Sequence, residues 1–339
     1  MHSTAHPIPV RIAAVAISCA FVVMFGADAS IYDPYLRPAV APEPAHNIAN
    51  PARVELGKTL FFDPRLSSSN WISCATCHNP SLGWSDGLPR GIGHGMETLK
   101  RATPALVNCG FNTTLMWDGR AANLEEQALG PIAAKAEMNQ DLPGLVKKLS
   151  AIPGYRPIFE AAYPGEGISP ATIGKAIAAF ERTILSGDSP FDRWRRGDKR
   201  AVDDSVKRGF ALFEGKANCV KCHEGFNFTD NGFHNIGLKS PGEVDVGRFA
   251  ERPIKAVYGA FRTPTLRDVE LTAPYMHNGL YATLEEVVEH YDRGGDVQEH
   301  LSPNMKPLDL TAQEKADLVS FMRSLTGTQM VVTLPQLPN

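Results

Sequence analysis

Two short stretches of this chain hold residues able to do chemistry: Cys74-Ala75-Thr76-Cys77-His78 and Cys219-Val220-Lys221-Cys222-His223. A Cys-x-x-Cys-His run is the attachment signature of a c-type haem. Its two thiols add across the vinyl groups of the porphyrin, and the adjacent histidine is held beside the iron as an axial ligand. The competing readings are a structural zinc site or two disulfides. Zinc sites of this kind pair their Cys-x-x-Cys units about 15–20 residues apart. Here the pairs begin at Cys74 and Cys219, and both carry the adjacent histidine. The spacing therefore predicts two covalently bound haem c groups, attached at Cys74, Cys77, Cys219 and Cys222, with His78 and His223 on iron.

Elements must position these motifs. An apolar stripe of Leu56, Leu60 and Phe61 predicts a helix from Ala52 to Phe62 before the first motif. Its Gly57-x-x-Leu60-Phe61 returns as Gly209-x-x-Leu212-Phe213 before the second, in a helix starting near Val202. Such an internal repeat argues for two similar units with one haem each. Between the motifs, Gly83 to Gly95 reads as a glycine-rich loop containing His94. Helices are expected at 124–129, 141–150 and 170–185, the last with Ser169 as N-cap and Pro170 at its first position. The charged, turn-rich stretch 187–199 reads as a boundary, and 227–253 as loop. Thr283-Leu284-Glu285-Glu286 and Thr311-Ala312-Gln313-Glu314 are capping boxes that open two more helices. On the first, Leu284, Val287, Val288 and Tyr291 share one inward face. The expected fold is mainly α: two cytochrome c-like haem domains with long irregular loops, an N-terminal one over 51–190 and a C-terminal one over 200–339.

The 339 residues carry a formal charge of −3, which excludes a strongly basic nucleic-acid binder. Residues 1–29 read as a signal peptide. His2 and Arg11 make a weakly basic start, Ile12 to Gly26 is an uncharged, largely apolar run, and Ala27-Asp28-Ala29 offers a small-x-small cleavage site. The competing reading is a retained anchor. Residues 30–50, rich in Pro and Ala, read as an extended leader. Removal of the signal leaves no membrane span and places the protein in the periplasm, where c-type haems are normally attached.

Further motifs carry a resemblance that spans nearly the whole mature chain. Besides the haem runs there are Ile92-Gly93-His94-Gly95, Trp117-Asp118-Gly119-Arg120, Leu124-Glu125-Glu126-Gln127, Ala136-Glu137-Met138 and Thr272-Ala273-Pro274-Tyr275-Met276-His277-Asn278-Gly279. In this order the chain resembles the bacterial di-haem cytochrome c peroxidases and MauG, nearest the branch of MauG and MbnH. The resemblance implies that the N-terminal haem reacts with hydrogen peroxide and the C-terminal haem stores and relays electrons.

Residue by residue, the resemblance makes His78 the ligand of the peroxide-reactive haem, His94 its distal histidine and Glu137 its distal acid. A group at the last position is needed to move a proton between the two peroxide oxygens. Gln127 and Pro131 match residues lining that pocket, and Trp117 the tryptophan between the haems. His223 matches the ligand of the second haem. Tyr291 stands where the peroxidases have methionine and MauG has tyrosine; Met276, His290 and Met305 are the competing ligands. Two departures stand out. Ala102 replaces an asparagine that offers its side chain to an inter-domain calcium, so calcium would rest on backbone carbonyls of Thr272 and Pro274. Ala217 replaces a surface tryptophan that MauG uses to pass electrons, so any exit takes another path.

The resemblance thus implies a di-haem peroxidase that forms high-valent haem with hydrogen peroxide and oxidises a redox partner, residues of another protein. The alternative is a cytochrome c peroxidase that draws electrons from a small c-type cytochrome. A third reading, a non-catalytic electron carrier, has no use for a distal acid.

Overall fold

The computed structural model describes residues 1–2, 33–240 and 242–339; the signal-peptide stretch lies outside them. Eleven α-helices appear among the described residues: α1 Pro51–Phe62, α2 Cys74–Cys77, α3 Leu124–Gln127, α4 Leu129–Ala133, α5 Leu142–Ser150, α6 Tyr155–Ala162, α7 Pro170–Glu181, α8 Pro190–Arg195, α9 Asp204–Glu214, α10 Leu284–Asp292 and α11 Ala312–Arg323. One antiparallel pair, β1 Phe233–His234 with β2 Phe261–Arg262, is the whole described sheet. The rest is 3₁₀ turn and loop, as expected for a mainly α chain with long irregular loops.

The helices start where side chains satisfy their open N–H groups. Asn50 accepts from Arg53 N at 2.9 Å to open α1. Ser169, Thr283 and Thr311 form capping boxes with Thr172, Glu286 and Glu314, opening α7, α10 and α11. Two hydrophobic clusters result. The first gathers Leu56, Leu60 and Phe61 of α1 with Ile173, Ile177 and Phe180 of α7. The second gathers Phe210 and Phe213 of α9 with Leu318 and Phe321 of α11, and Phe191 and Phe228.

The repeated Gly-x-x-Leu-Phe has a packing cause. A Cβ on Gly57 would overlap the backbone oxygen of Ala176 in α7, and one on Gly209 would overlap that of Asp317 in α11. Each glycine lets two helix backbones touch in front of a haem motif.

The structure departs from the sequence reading in three places. Helix α7 stops at Glu181 rather than running to Leu185, because the chain turns to serve Asn108. Ile184 O accepts from Asn108 N at 2.8 Å, and Asn108 Oδ1 accepts from Ser186 N at 3.0 Å. The stretch 187–199 contains α8, whose Phe191 is fully buried in the second cluster. Buried Arg267 ties α8 down, donating to Asp192 Oδ1 at 2.8 Å and to Tyr35 O at 2.7 Å. The leader, finally, is anchored in both clusters. Tyr35 stacks on Phe228 at 5.5 Å. Asn47 donates to Glu125 Oε1 at 2.8 Å and accepts from Tyr163 Oη at 3.2 Å. Residues 34–339 form one compact unit, and no described helix is long and apolar enough to cross a membrane.

Gly57→Ala and Gly209→Ala should each destabilise the holoprotein by about 1–3 kcal/mol, the usual cost of forcing extra volume into a filled contact. A chemical denaturation midpoint unchanged in both variants would contradict the close-packing role of the glycines.

Candidate haem sites

Helix α2 places Cys74 and Cys77 on adjacent turns of one short helix. Its start is fixed by Ser73 N donating to Thr76 Oγ1 at 2.9 Å. His78 closes the helix, its N–H donating to Cys74 O at 2.9 Å. Its ring Nδ1 lies 3.2 Å from Trp84 O. Burial holds the ring below the ordinary histidine range and so neutral. A neutral imidazole with Nδ1–H bound to a carbonyl leaves the Nε2 lone pair free, which is the tautomer a metal needs. The second motif repeats this arrangement: His223 Nδ1 stands 2.8 Å from Phe228 O, and burial again lowers its pKa.

The two motifs line separate cavities. Cys74, Cys77 and His78 face the first; Cys219, Cys222 and His223 face the second. All four sulfurs are unpaired. Burial pushes Cys77 up to about 11 and Cys219 to about 12, so these thiols are neutral. With the motifs in separate cavities, they do not build the single zinc site that two Cys-x-x-Cys units would share.

The wall between the cavities is built from Ala102, Trp117, Arg262 and His277, which line both. Trp117 Nε1 donates to Ala102 O at 2.8 Å, and Ala102 N donates to His277 O at 2.8 Å. The rings of Trp117 and His277 meet edge to face with centroids 6.4 Å apart, and His277 stacks on Phe261 at 3.5 Å. Below Trp117, Arg101 is clamped by Asp118 at 2.6 Å and Asp245 at 2.7 Å.

The sequence repeat is longer than Gly-x-x-Leu-Phe alone reveals. Trp117-Asp118-Gly119 and His277-Asn278-Gly279 occupy equivalent turns. Each turn is closed by a bridge, Leu115 to Ala121 and Tyr275 to Tyr281, and preceded by a methionine at positive φ, Met116 at 70° and Met276 at 74°. Asn123-Leu124-Glu125-Glu126 then matches Thr283-Leu284-Glu285-Glu286. Five residues beyond stand Pro131 in one half and Tyr291 in the other. Pro131 lines the first cavity and Tyr291 the second.

Of the other predicted residues, Glu137 and Gln127 both line the first cavity. Burial raises the Glu137 carboxyl above its ordinary range, against the pull of Arg120. Gln127 Nε2 lies 3.9 Å from Met116 Sδ. His94 is not among the residues lining this cavity, and its ring Nδ1 lies 3.5 Å from Ser68 Oγ. Its backbone does the positioning: His94 N donates to Ala136 O at 3.0 Å and Glu137 O at 2.8 Å. Gly93 sits so close to Ala136 that a Cβ would overlap its carbonyl oxygen. The Ile-Gly-His-Gly loop therefore latches, through its backbone, the turn that bears Glu137.

In the second cavity Tyr291, Met276 and Met305 are all in the lining, whereas His290 is not. Both His290 nitrogens are engaged, Nε2 with Ile236 O at 2.8 Å and Nδ1 with Tyr281 Oη at 3.0 Å. Burial drives the Tyr291 phenol well above its ordinary range, so only a bound cation would hold it deprotonated. Thr272 and Pro274 also line this cavity. Among the described residues, the one cluster of three metal-ligating side chains is Cys222, Asp230 and His234, not at those two. His234, hydrogen-bonded to Asp230 at 2.7 Å and raised to about 10 mainly by it, was missed from sequence. Arg262 was missed too, although Arg-Thr-Pro before the Thr272 motif echoes Arg101-Ala102-Thr103-Pro104.

The cavities fit haem. Each is lined by many apolar side chains together with the two cysteines and the histidine of one Cys-x-x-Cys-His motif. Arg262 is 7% exposed, and its buried Nε has no partner in the protein. Burial lowers its pKa to about 10. A cation so desolvated calls for an anion, and the porphyrin brings two carboxylates.

Comparison with known proteins agrees. Residues 51–200 match the family model of the di-haem cytochrome c peroxidases, and residues 206–326 that of cytochrome c. The chain is 47% identical to the methylamine utilization protein MauG of Methylorubrum extorquens, over 98% of this chain and 99% of that one. It is 39% identical to the cytochrome c551 peroxidase of Pseudomonas aeruginosa, over 84% of this chain and 81% of that one. The crystal structure of a MauG-like protein associated with microbial copper homeostasis superposes with a TM-score of 0.80 at 33% identity, covering 89% of this chain and 96% of that one. The chain belongs to the di-haem cytochrome c peroxidase and MauG family, whose members are peroxide-dependent oxidoreductases.

Proposed function

We propose that this protein is a periplasmic, MauG-like peroxidase that uses hydrogen peroxide to oxidise residues of a partner protein. The observation that carries this reading is the asymmetry between equivalent positions, Pro131 in the first half and Tyr291 in the second. Haem, when bound, supplies irons that accept electrons from a donor and deliver them to peroxide. Cys74 and Cys77 tether one group and Cys219 and Cys222 the other, while His78 and His223 each offer Nε2. The Pro131 side chain has no donor atom and lines the first cavity, so it would offer no ligand to a haem held there by His78. Glu137 takes the proton from one peroxide oxygen and returns it to the other, so that water leaves. Gln127 offers an amide to orient the oxidant. Trp117 and His277 fill the wall through which electrons cross. Tyr291 lines the second cavity and would offer a haem held there an anionic phenolate, a donor that favours oxidised iron and lowers the potential. The identity to MauG supports a protein substrate.

The cytochrome c peroxidase reading keeps one supporting observation: Met276 and Met305 also line the second cavity, and a thioether there would raise the potential and suit electrons drawn from a small cytochrome. Calcium at Thr272 and Pro274 is not needed by either reading.

Glu137→Gln keeps the shape of the side chain and removes its titrating proton. Reaction with hydrogen peroxide, followed by stopped-flow absorbance, should slow by roughly 10²-fold or more, with both haem spectra retained. Reaction at the parent rate would remove Glu137 from the mechanism. Tyr291→Met should raise the reduction potential of one haem and leave the other near its parent value, as read by spectroelectrochemical titration. Two unchanged potentials would show that Tyr291 is no ligand.

A further inference from the structure

Glu181 ends α7 with its side chain in the lining of the first cavity, and no step described above uses it. It is 4% exposed, and its Oε2 is buried without a hydrogen-bond partner in the protein. The charged and titratable groups around it leave it without a counterion. Its neighbour Arg182 is committed elsewhere, donating through both terminal nitrogens to Glu125 at 2.8 and 3.0 Å. Glu125 adds a second negative charge that opposes ionisation. From the other elements come Cys109, whose Sγ lies 3.6 Å from the Glu181 backbone oxygen, and Cys74 of α2. Both are buried thiols pushed far above their ordinary range, hence neutral, and Cys74 becomes a thioether when haem is attached. Arg262, from β2, interacts with Cys109 and not directly with Glu181.

A carboxyl so placed is neutral for want of positive charge. Burial, the largest cause, lifts it to about 8. The missing positive charge would come from the cavity itself. Oxidising a haem iron by one electron adds one positive charge there, and in a low-dielectric interior such a charge acts strongly over several ångströms.

We infer that Glu181 is the proton-exchanging partner of the first haem, a carboxylic acid that releases its proton when the haem beside it is oxidised and recovers it on reduction. One electron passes from the haem to the external oxidant, and one proton passes from Glu181 to solvent. The cavity opens to solvent beside Glu97 and Lys100, both exposed members of its lining. The coupling eases removal of electrons from the first haem without building up buried charge. It acts separately from Glu137, which handles the protons of peroxide.

This inference rests on haem occupying the first cavity. By linkage, a group that binds its proton more tightly in the reduced state makes the potential fall as pH rises through the interval between its two pKa values. The test is spectroelectrochemical titration of the holoprotein from pH 6 to about 9.5, an interval chosen to bracket a carboxyl raised in this way. Iron and haem are counted first, so a protein lacking the first haem is recognised before any potential is read. In the parent protein the first haem's potential should fall with pH around 8. In Glu181→Gln, with two haems per chain, that slope should be lost. The variant's potential should match the parent at the acidic end and lie above it at the alkaline end. A redox-difference infrared spectrum of the unaltered protein supplies a reading independent of the variant's folding: a protonated carboxyl band should disappear on oxidation. An unchanged slope in Glu181→Gln, or the absence of any carboxyl band change in the parent, would overturn the assignment.

Discussion

Everything in this molecule depends on Ala102 being held from both sides. Its carbonyl accepts the Trp117 indole N–H and its own N–H donates to the His277 carbonyl. Those bonds join a turn of the first half to the equivalent turn of the second, and the aromatic edges of Trp117 and His277 close the gap between them. The contact forms one partition with a haem cavity on each face. Because the backbone supplies the bonds, the residue itself is free to be alanine. Arg101, next in the chain, is braced by Asp118 from its own half and Asp245 from the other. Paired charges with most of their surface removed from water are costly to separate, so the partition is braced by charges from both halves.

From this shared frame the two halves diverge by a few side chains. Each has a histidine held through Nδ1 by a backbone carbonyl and a glycine that brings two helices into contact. One then presents Pro131, Gln127 and Glu137 to its cavity, and the other Tyr291, Met276 and Met305. A cavity with an acid and no donor at the ligand position suits a reactive iron; one with phenol and thioether donors suits an iron that only changes charge.

The attachment motifs and most helices were legible because they are local. Cys-x-x-Cys-His states its chemistry within five residues, and capping boxes state a helix start within four. The Gly-x-x-Leu-Phe repeat was visible, but its cause lies in helix–helix contacts with partners more than a hundred residues away. His94 was marked by a local motif, whereas the bonds its backbone makes to the turn bearing Glu137 join distant parts of the chain and were not legible from it. The end of α7 was misjudged because Asn108, from another part of the chain, captures the residues after it. Glu181 and Arg262 were invisible for a related reason. In sequence, Glu181-Arg182 looks like an ordinary charged helix end; only the fold shows that Arg182 turns to Glu125 and leaves Glu181 alone.

On the proposed function, the two irons would differ because Pro131 and Tyr291 occupy equivalent positions in the two halves. Electron paramagnetic resonance of the fully oxidised, unaltered protein reads both irons at once. Two distinct ferric signals are expected, one high-spin from the His78 haem with an open position, and one low-spin with the pattern of histidine–tyrosinate ligation. A second haem with histidine–methionine ligation, or two irons with the same ligand set, would contradict it.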